Sequence, residues 1–432
     1  MHPDPLHARP ATVLGTLRRL RRSPAVSQSA LVFAASMVLS VGGFVFHAIA
    51  SRRLGVEDYG ALYAILSVYL LACTPALLFT SVIAKYCAEF RALHDDKHVR
   101  GLIVLIVRAF GATGLIYIIV AFAFARHLAA FLHVSAWEIP LIGVMAAIGL
   151  FSGALRAVGQ GTHDFAGYAV SLAAEGAMKI VALVALALGG LTVFRSTAGF
   201  LIGLAIGLAV MAYRLLQRYR RIDATPITLD WRRLLATFAG AASITITVAL
   251  IGSADVVLVK HFFSSANAGL YSAASLGGKI LLYFVGFIPA VLVPHATDRH
   301  ARGERTRQTI GAAMAFIAFF GIAGVIAYAY FGNLVLRALV GPAFDAAVPL
   351  LVGYGGAMAL LAATSALASY GIATHRLAFA GPLLAAALAT IGIIAFAHHT
   401  LTMVIAELLF GNIAMLAVVA GAIGWQGARS LR

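Results

Sequence analysis

Charged side chains are scarce in this chain, and a few fall where hydrocarbon is expected. Lys279, Arg108, Glu407 and the pair Glu175 and Lys179 lie inside otherwise apolar stretches. An unpaired charge in such surroundings costs several kcal/mol, so each of these residues needs either a partner or a task. Lys279 follows Gly277 and Gly278, which leave room for a ligand or an adjoining helix. An ammonium placed there can hold an anion, or it can reach along its stem to an interface or a carboxylate. Glu175 and Lys179 are four apart, share one helix face and can pair, either structurally or as a switch that breaks and reforms. Arg108 is about two turns from the end of its stretch, within reach of the interface. Glu407 stands alone in the last apolar stretch.

Other chemistry is missing from the sequence. There is no Gly-rich phosphate loop, no His-Glu-x-x-His and no Cys-x-x-Cys, so neither nucleotide hydrolysis nor a metal or other cofactor is expected. Cys73 and Cys87 are read as small apolar fillers. The chain is not read as an enzyme.

A repeat organises the charges. Ala50-Ser-Arg52-Arg53-Leu-Gly-Val-Glu57-Asp58-Tyr-Gly-Ala-Leu-Tyr63 and Leu258-Val-Lys260-His261-Phe-Phe-Ser-Ser-Ala-Asn-Ala-Gly-Leu-Tyr271 superpose at a shift of 208. Arg52 falls on Lys260, Arg53 on His261, Tyr63 on Tyr271, Ser67 on Ser275 and His47 on Asp255. Repeated halves facing each other across a cavity are a common transporter design. Arg52, Arg53 and Lys260 are read either as interfacial charges beside Glu57 and Asp58 or as cations at the cavity mouth. His47 and Asp255 are candidates for an ion-sensitive latch across the pseudo-twofold. Lys85 and Arg91 end the second apolar stretch and could meet an anion there, or serve as ordinary interface charges.

These residues are positioned by membrane-spanning helices. Hydrophobic residues make up 62% of the 432, charged residues 11%, and mean hydropathy is +0.95. A soluble domain is nearer half apolar and a quarter charged. Twelve spans are expected: 29–51, 60–84, 101–124, 138–159, 166–190, 195–216, 234–259, 268–294, 309–331, 346–370, 377–397 and 401–424. The fold is thus all-α and polytopic, with two six-helix halves related by an axis along the membrane normal. Residues 1–28 form a basic leader, 29–216 the first bundle, 217–233 a basic linker, 234–424 the second bundle and 425–432 a tail. With both termini in the cytoplasm, 23 of the 32 Lys and Arg fall on cytoplasmic segments and 6 on the opposite side. The net charge of +16 then reflects topology and attraction to anionic lipid, and no nucleic-acid motif accompanies it.

The segment Arg52-Arg53-Leu-Gly55-Val-Glu57-Asp58-Tyr59-Gly60 resembles the polysaccharide-biosynthesis flippases of the multidrug/oligosaccharidyl-lipid/polysaccharide exporter superfamily. So does its counterpart Asp255-Val-Val-Leu-Val-Lys260-His-Phe-Phe263 with Ala268-Gly-Leu-Tyr-Ser272, and the continuation Leu276-Gly-Gly-Lys279. The span count and the repeat extend the likeness over nearly the whole chain, closer to the O-antigen type than to the fourteen-span lipid II flippases. The resemblance implies movement of an isoprenoid-pyrophosphate-linked glycan across a bacterial inner membrane, with a glycan polymerase and export machinery as further partners. The expected anion-contacting residues are Lys279, Arg52, Arg53, Lys260, Arg108 and Lys85. The alternative within the superfamily is a multidrug and toxin exporter, which favours acidic and aromatic cavity residues. A membrane-embedded glycan polymerase or ligase needs larger outer loops than these.

Overall fold

The computed structural model describes residues 24–227, 231–301 and 307–429. Residues 1–23 of the leader, 228–230 of the linker, 302–306, and 430–432 of the tail lie outside the described residues.

Among the described residues the chain is helical, without strands. The first half contains α1 (Pro24–Ala92), α2 (Asp96–Ala123), the short α3 (Ala125–Leu132), α4 (Ile139–Gly161), α5 (Phe165–Ala187) and α6 (Val193–Tyr219). The second contains α7 (Trp231–Phe262), α8 (Ser265–Ala301), α9 (Arg307–Leu339), a 3-10 turn (Pro342–Ala347), α10 (Val348–Ala373), α11 (Ala380–Phe396) and α12 (Leu401–Arg429). Among the described residues nine helical stretches are long and apolar enough to cross a bilayer. One of them, α1, is broken into two limbs, and α8 and α11 complete the expected twelve crossings.

The break in α1 is at Gly55, with φ 78° and ψ −177°, a conformation essentially closed to side chains with a Cβ. Limbs 24–54 and 56–92 therefore fold back on each other. The equivalent reversal between α7 and α8 takes only Phe263 and Ser264. Each half also inserts a short helical piece after its third span: α3 after α2, and the 3-10 turn after α9. The sequence reading treated both as loop. In the first, the chain reverses at His133, which takes the left-handed conformation at the end of α3.

Contact between the halves is carried mainly by α1, which packs on both α7 and α8. Tyr59, Tyr63 and Ala64, at the start of its second limb, belong to the apolar core of the second half. The first half keeps cores of its own, one around Phe46, Leu62 and Tyr69 and another around Val158 and Met211.

Candidate functional site

Every hydrogen bond that joins the halves among the described residues lies at the end carrying the bends or at mid-depth. At the bend end Ser51 Oγ donates to the Val340 carbonyl at 2.9 Å, and Arg52 Nη2 donates to the carbonyls of Arg337 (2.7 Å) and Ala338 (2.8 Å). Those carbonyls close α9, the third span of the second half, and a cation suits the negative end of a helix. A second contact is made by His261, the repeat counterpart of Arg53, which stacks on Phe131 at 3.9 Å and donates from Nδ1 to the Phe131 carbonyl at 2.9 Å. Phe131 is in α3, beyond the third span of the first half. Each half thus reaches, as a clasp, from its first hairpin toward the far end of the other's third span, through residues one position apart in the repeat. Between the clasps the backbones touch: a Cβ on Gly269 would stand 2.0 Å from the Val56 carbonyl oxygen. This end is closed.

Away from it, two adjoining cavities of about 210 and 650 Å³ share Leu70, Lys279 and Tyr283. The bend at Gly55 brings His47 of the first limb against Tyr59 and Tyr63 of the second, and all but Tyr59 line the smaller cavity. Lys279 crosses from the other half: its Nζ donates to Tyr63 Oη at 3.0 Å. The residue is only 8% exposed, and Gly252 backs its stem. An ammonium carries three donors, and Tyr63 accepts only one of them. Tyr63 Oη, having accepted, keeps its own proton without an acceptor among the described residues, and so does Tyr283. Several donors thus converge on one cavity wall without protein acceptors. The larger cavity adds the hydroxyls of Thr245, Ser253, Ser365 and Ser369 to a mainly apolar surface. Among the described residues no carboxylate lines either cavity.

The carboxylates are turned away from these cavities. Asp255 is fully buried, and its Oδ2 accepts from Tyr271 (2.8 Å) and Tyr354 (2.9 Å). Its Oδ1 has no side-chain partner among the described residues. Glu175 lies between two cations, with Lys179 Nζ at 2.6 Å from Oε1 and Arg156 Nη2 at 2.7 Å from Oε2. Arg156 Nε also donates to Ser171 Oγ, and Lys179 rests 4.0 Å over the ring of Phe200, which lines the smaller cavity. The triad therefore stands behind the aromatic wall and carries one net positive charge. Cys73 and Cys87 are buried free thiols. Among the described residues no group of three or more His, Cys, Asp or Glu could hold a metal ion.

Of the six cations expected at the anion, only Lys279 lines these cavities. Arg52 caps α9, as above, instead of pairing with Glu57 or Asp58. Arg53 is exposed beside it, with no bond among the described residues. Lys260 is 2% exposed at the closed end, donates to Ser265 Oγ at 3.1 Å, and faces Glu57, Asp58 and Glu138. Arg108 is exposed on α2, and Lys85 is exposed and pairs with Glu89 at 3.8 Å. Lys85 is near the end of α1, where a long stem keeps its charge in a polar layer, whereas Arg108 lies midway along α2 on its exposed face. His47 and Asp255 do not face each other. Two tyrosines fill the space at Asp255, and the closest polar partner of His47 is Tyr59 Oη, 3.3 Å from Nδ1. Arg156 lies near the end of the fourth expected span, where the sequence gives no reason to single it out. Its burial beside Glu175 depends on α4 packing against α5 and α6, which spacing alone does not reveal. Tyr63 and Tyr271 were visible as repeat markers, but not as hydrogen-bonding groups.

No family model matches the chain, and no curated protein does either. Solved structures do. An inward-facing multidrug resistance MATE family transporter of the MOP superfamily aligns with a TM-score of 0.71 at 12% identity, covering 93% of this chain and 97% of that one. The lipid II flippase MurJ, in an inward closed conformation, aligns at 0.70 and 12% identity, covering 92% and 87%. An outward-facing MATE family transporter aligns at 0.59 and 15% identity, covering 95% and 97%. The chain has the fold of these transporters. At such identities the likeness extends to architecture and no further.

Proposed function

We propose that this protein moves a lipid-linked anionic glycan, of the isoprenoid-pyrophosphate type, across a bacterial inner membrane by alternating access. The closed end is then the outer side, and the cavities take their cargo from the cytoplasmic leaflet. The observation that carries the reading is the lining at Lys279: a buried ammonium and two tyrosine hydroxyls with unspent donors, and, among the described residues, no carboxylate lining the cavities. An anion accepts hydrogen bonds and offers none, so it complements that wall. A cationic drug would meet an ammonium and no counter-charge, which makes multidrug export the weaker reading.

Movement follows from the repeat. Rocking the halves would break the two clasps at Arg52 and His261 and close the cavities at the opposite end. The polar head would cross beside Lys279 while its isoprenoid tail stays in lipid, which avoids the cost of an unpaired anion in hydrocarbon. The adjoining 650 Å³ cavity offers hydroxyls to sugar groups. No covalent step is required of the chain.

The test uses purified protein in lipid nanodiscs with farnesyl pyrophosphate as the probe. Wild type should bind it, and Lys279→Gln should bind roughly tenfold to a hundredfold more weakly, as expected for loss of one charged hydrogen bond. Equal binding by both would remove Lys279 from the site. In cells, deletion should leave lipid-linked glycan on the inner leaflet, and wild type should restore its export.

A further inference from the structure

The His47 ring has one nitrogen within 3.3 Å of Tyr59 Oη and no protein partner for the other among the described residues. It is half-buried in the wall of the smaller cavity and stands 5.4 Å, ring to ring, from Tyr63, the residue that receives Lys279. The titratable and charged groups facing it are few. They are Tyr59 and Tyr63 from α1, the Lys279 ammonium from α8 and, from α5, the Lys179 ammonium of the net-positive triad. Among the described residues no carboxylate faces it. Asp255 acts on Lys279 from the far side and is occupied by its tyrosines.

We infer that His47 is a proton site linked to the anion site, so that the cargo's acidic head and one proton bind together. The inference rests on the reading of Lys279 as the anion-binding cation. In the empty cavity a charged imidazole would add to the Lys279 ammonium and to a triad that is already net positive, with no acceptor among the described residues for its free ring nitrogen. A bound diphosphate supplies the missing negative charge and an acceptor for the free ring nitrogen. The proton comes from water in the open cavity and returns to water when the anion leaves at the other side. Linkage makes the effect mutual: if the anion favours the proton, the proton favours the anion by the same factor. His47 would thereby tie cargo movement to a proton moving in the same direction. This assigns the histidine to Lys279 and Tyr63, on its own side of the pseudo-twofold, with Asp255 left to its tyrosines.

The experiment is titration calorimetry of the full-length protein in nanodiscs with farnesyl pyrophosphate, in buffers of different ionisation enthalpy. The probe itself takes up protons near neutral pH, so the readout is wild type minus His47→Gln. Glutamine keeps a group that can bond to Tyr59 and cannot titrate. Wild type should take up as much as one more proton per probe bound. Across the pH range where His47 titrates, its affinity should gain up to tenfold per unit of pH lowered, relative to the variant. Equal uptake and parallel pH profiles overturn the inference and leave the anion site standing. Failure of wild type to bind the probe overturns the anion site itself, and the inference with it. His47→Asn, smaller and also untitratable, replaces His47→Gln should that protein not fold, with the same outcomes expected.

Discussion

The tightest approach between the halves gives a prediction whose sign the geometry fixes. A Cβ at Gly269 would lie 2.0 Å from the Val56 carbonyl oxygen and 2.7 Å from its Cγ1. Both the oxygen and the residue that would carry the Cβ are backbone, so no rotamer change can make room. A tight carbon–oxygen contact is about 3.3 Å, which requires the two bends to separate by about 1.3 Å at this point. Overpacking of this kind costs about 1–3 kcal/mol. The gain from replacing a helical glycine by alanine acts in every conformation and cancels from the balance between them. Gly269→Ala should therefore shift the population away from the closed bend end by roughly 5- to 150-fold.

Spin labels on exposed positions either side of that end, at Arg126 and His399, would report the shift by pulsed electron resonance. The expected change is a new, longer distance at the expense of the short one. Gly421→Ala is the control, since a Cβ there meets nothing within 4 Å, and it should leave the distribution unchanged. An unaltered short distance in a folded Gly269→Ala protein would refute the idea that backbone contact at the bends limits closure.

Three further outcomes follow from the charged contacts. Glu175→Gln strands Arg156 and Lys179 without a counter-charge and should cost about 3–5 kcal/mol of stability, read as a large drop in melting temperature, whereas replacing all three by apolar residues of similar size should be neutral or stabilising. Arg52→Ala removes donors to the Arg337 and Ala338 carbonyls on an exposed side chain, so it should favour opening of the bend end by no more than about 1 kcal/mol, visible with the same labels and smaller than the Gly269 effect. Burial would raise the Asp164 carboxyl, but Arg214 and the Gly167 amide outweigh it and hold it below the usual carboxylate range. A depressed carboxylate stabilises above its unfolded value of about 4 and loses that contribution as pH falls through the folded one. Asp164→Ala should therefore lower the melting temperature near pH 7, and the gap to wild type should narrow in acid.

What the sequence made legible was the part written in local pattern. Apolar runs of about twenty residues gave the crossings, and a shift of 208 gave the halves. The same shift did not pair the clasp residues: Arg52 and His261 lie at the two clasps, yet the repeat sets Lys260 on Arg52 and the exposed Arg53 on His261. Lys279 stood out because a charge among glycines inside an apolar run has few cheap explanations. The sites of Arg156, Tyr354 and Phe200 were not legible, because each depends on which face one helix turns toward another. A nearly uniform apolar surface carries little periodicity from which to read that face.

The functional asymmetry arises where the repeat fails. Position 271 copies position 63, yet Tyr271 donates to Asp255 while Tyr63 accepts from Lys279. The difference follows from two substitutions between the halves: His47 stands where the second half has Asp255, and Leu71 stands where it has Lys279. One tyrosine is consequently sealed into a polar core with a carboxylate, and the other is held at a cavity by an ammonium. A perfectly repeated chain would have two sealed tyrosines or two cavity ones, and either two cations or none between its halves. With one of each, the second half supplies the fixed charge, and the first supplies the bend that brings Tyr63 and His47 to meet it. Exchanging the pair, with His47→Asp and Asp255→His together, should then abolish anion binding even though the residue types are conserved. The new carboxylate would face the Lys279 ammonium and take its place as the anion's competitor. Retained binding of farnesyl pyrophosphate by the folded double variant would show that the asymmetry is incidental.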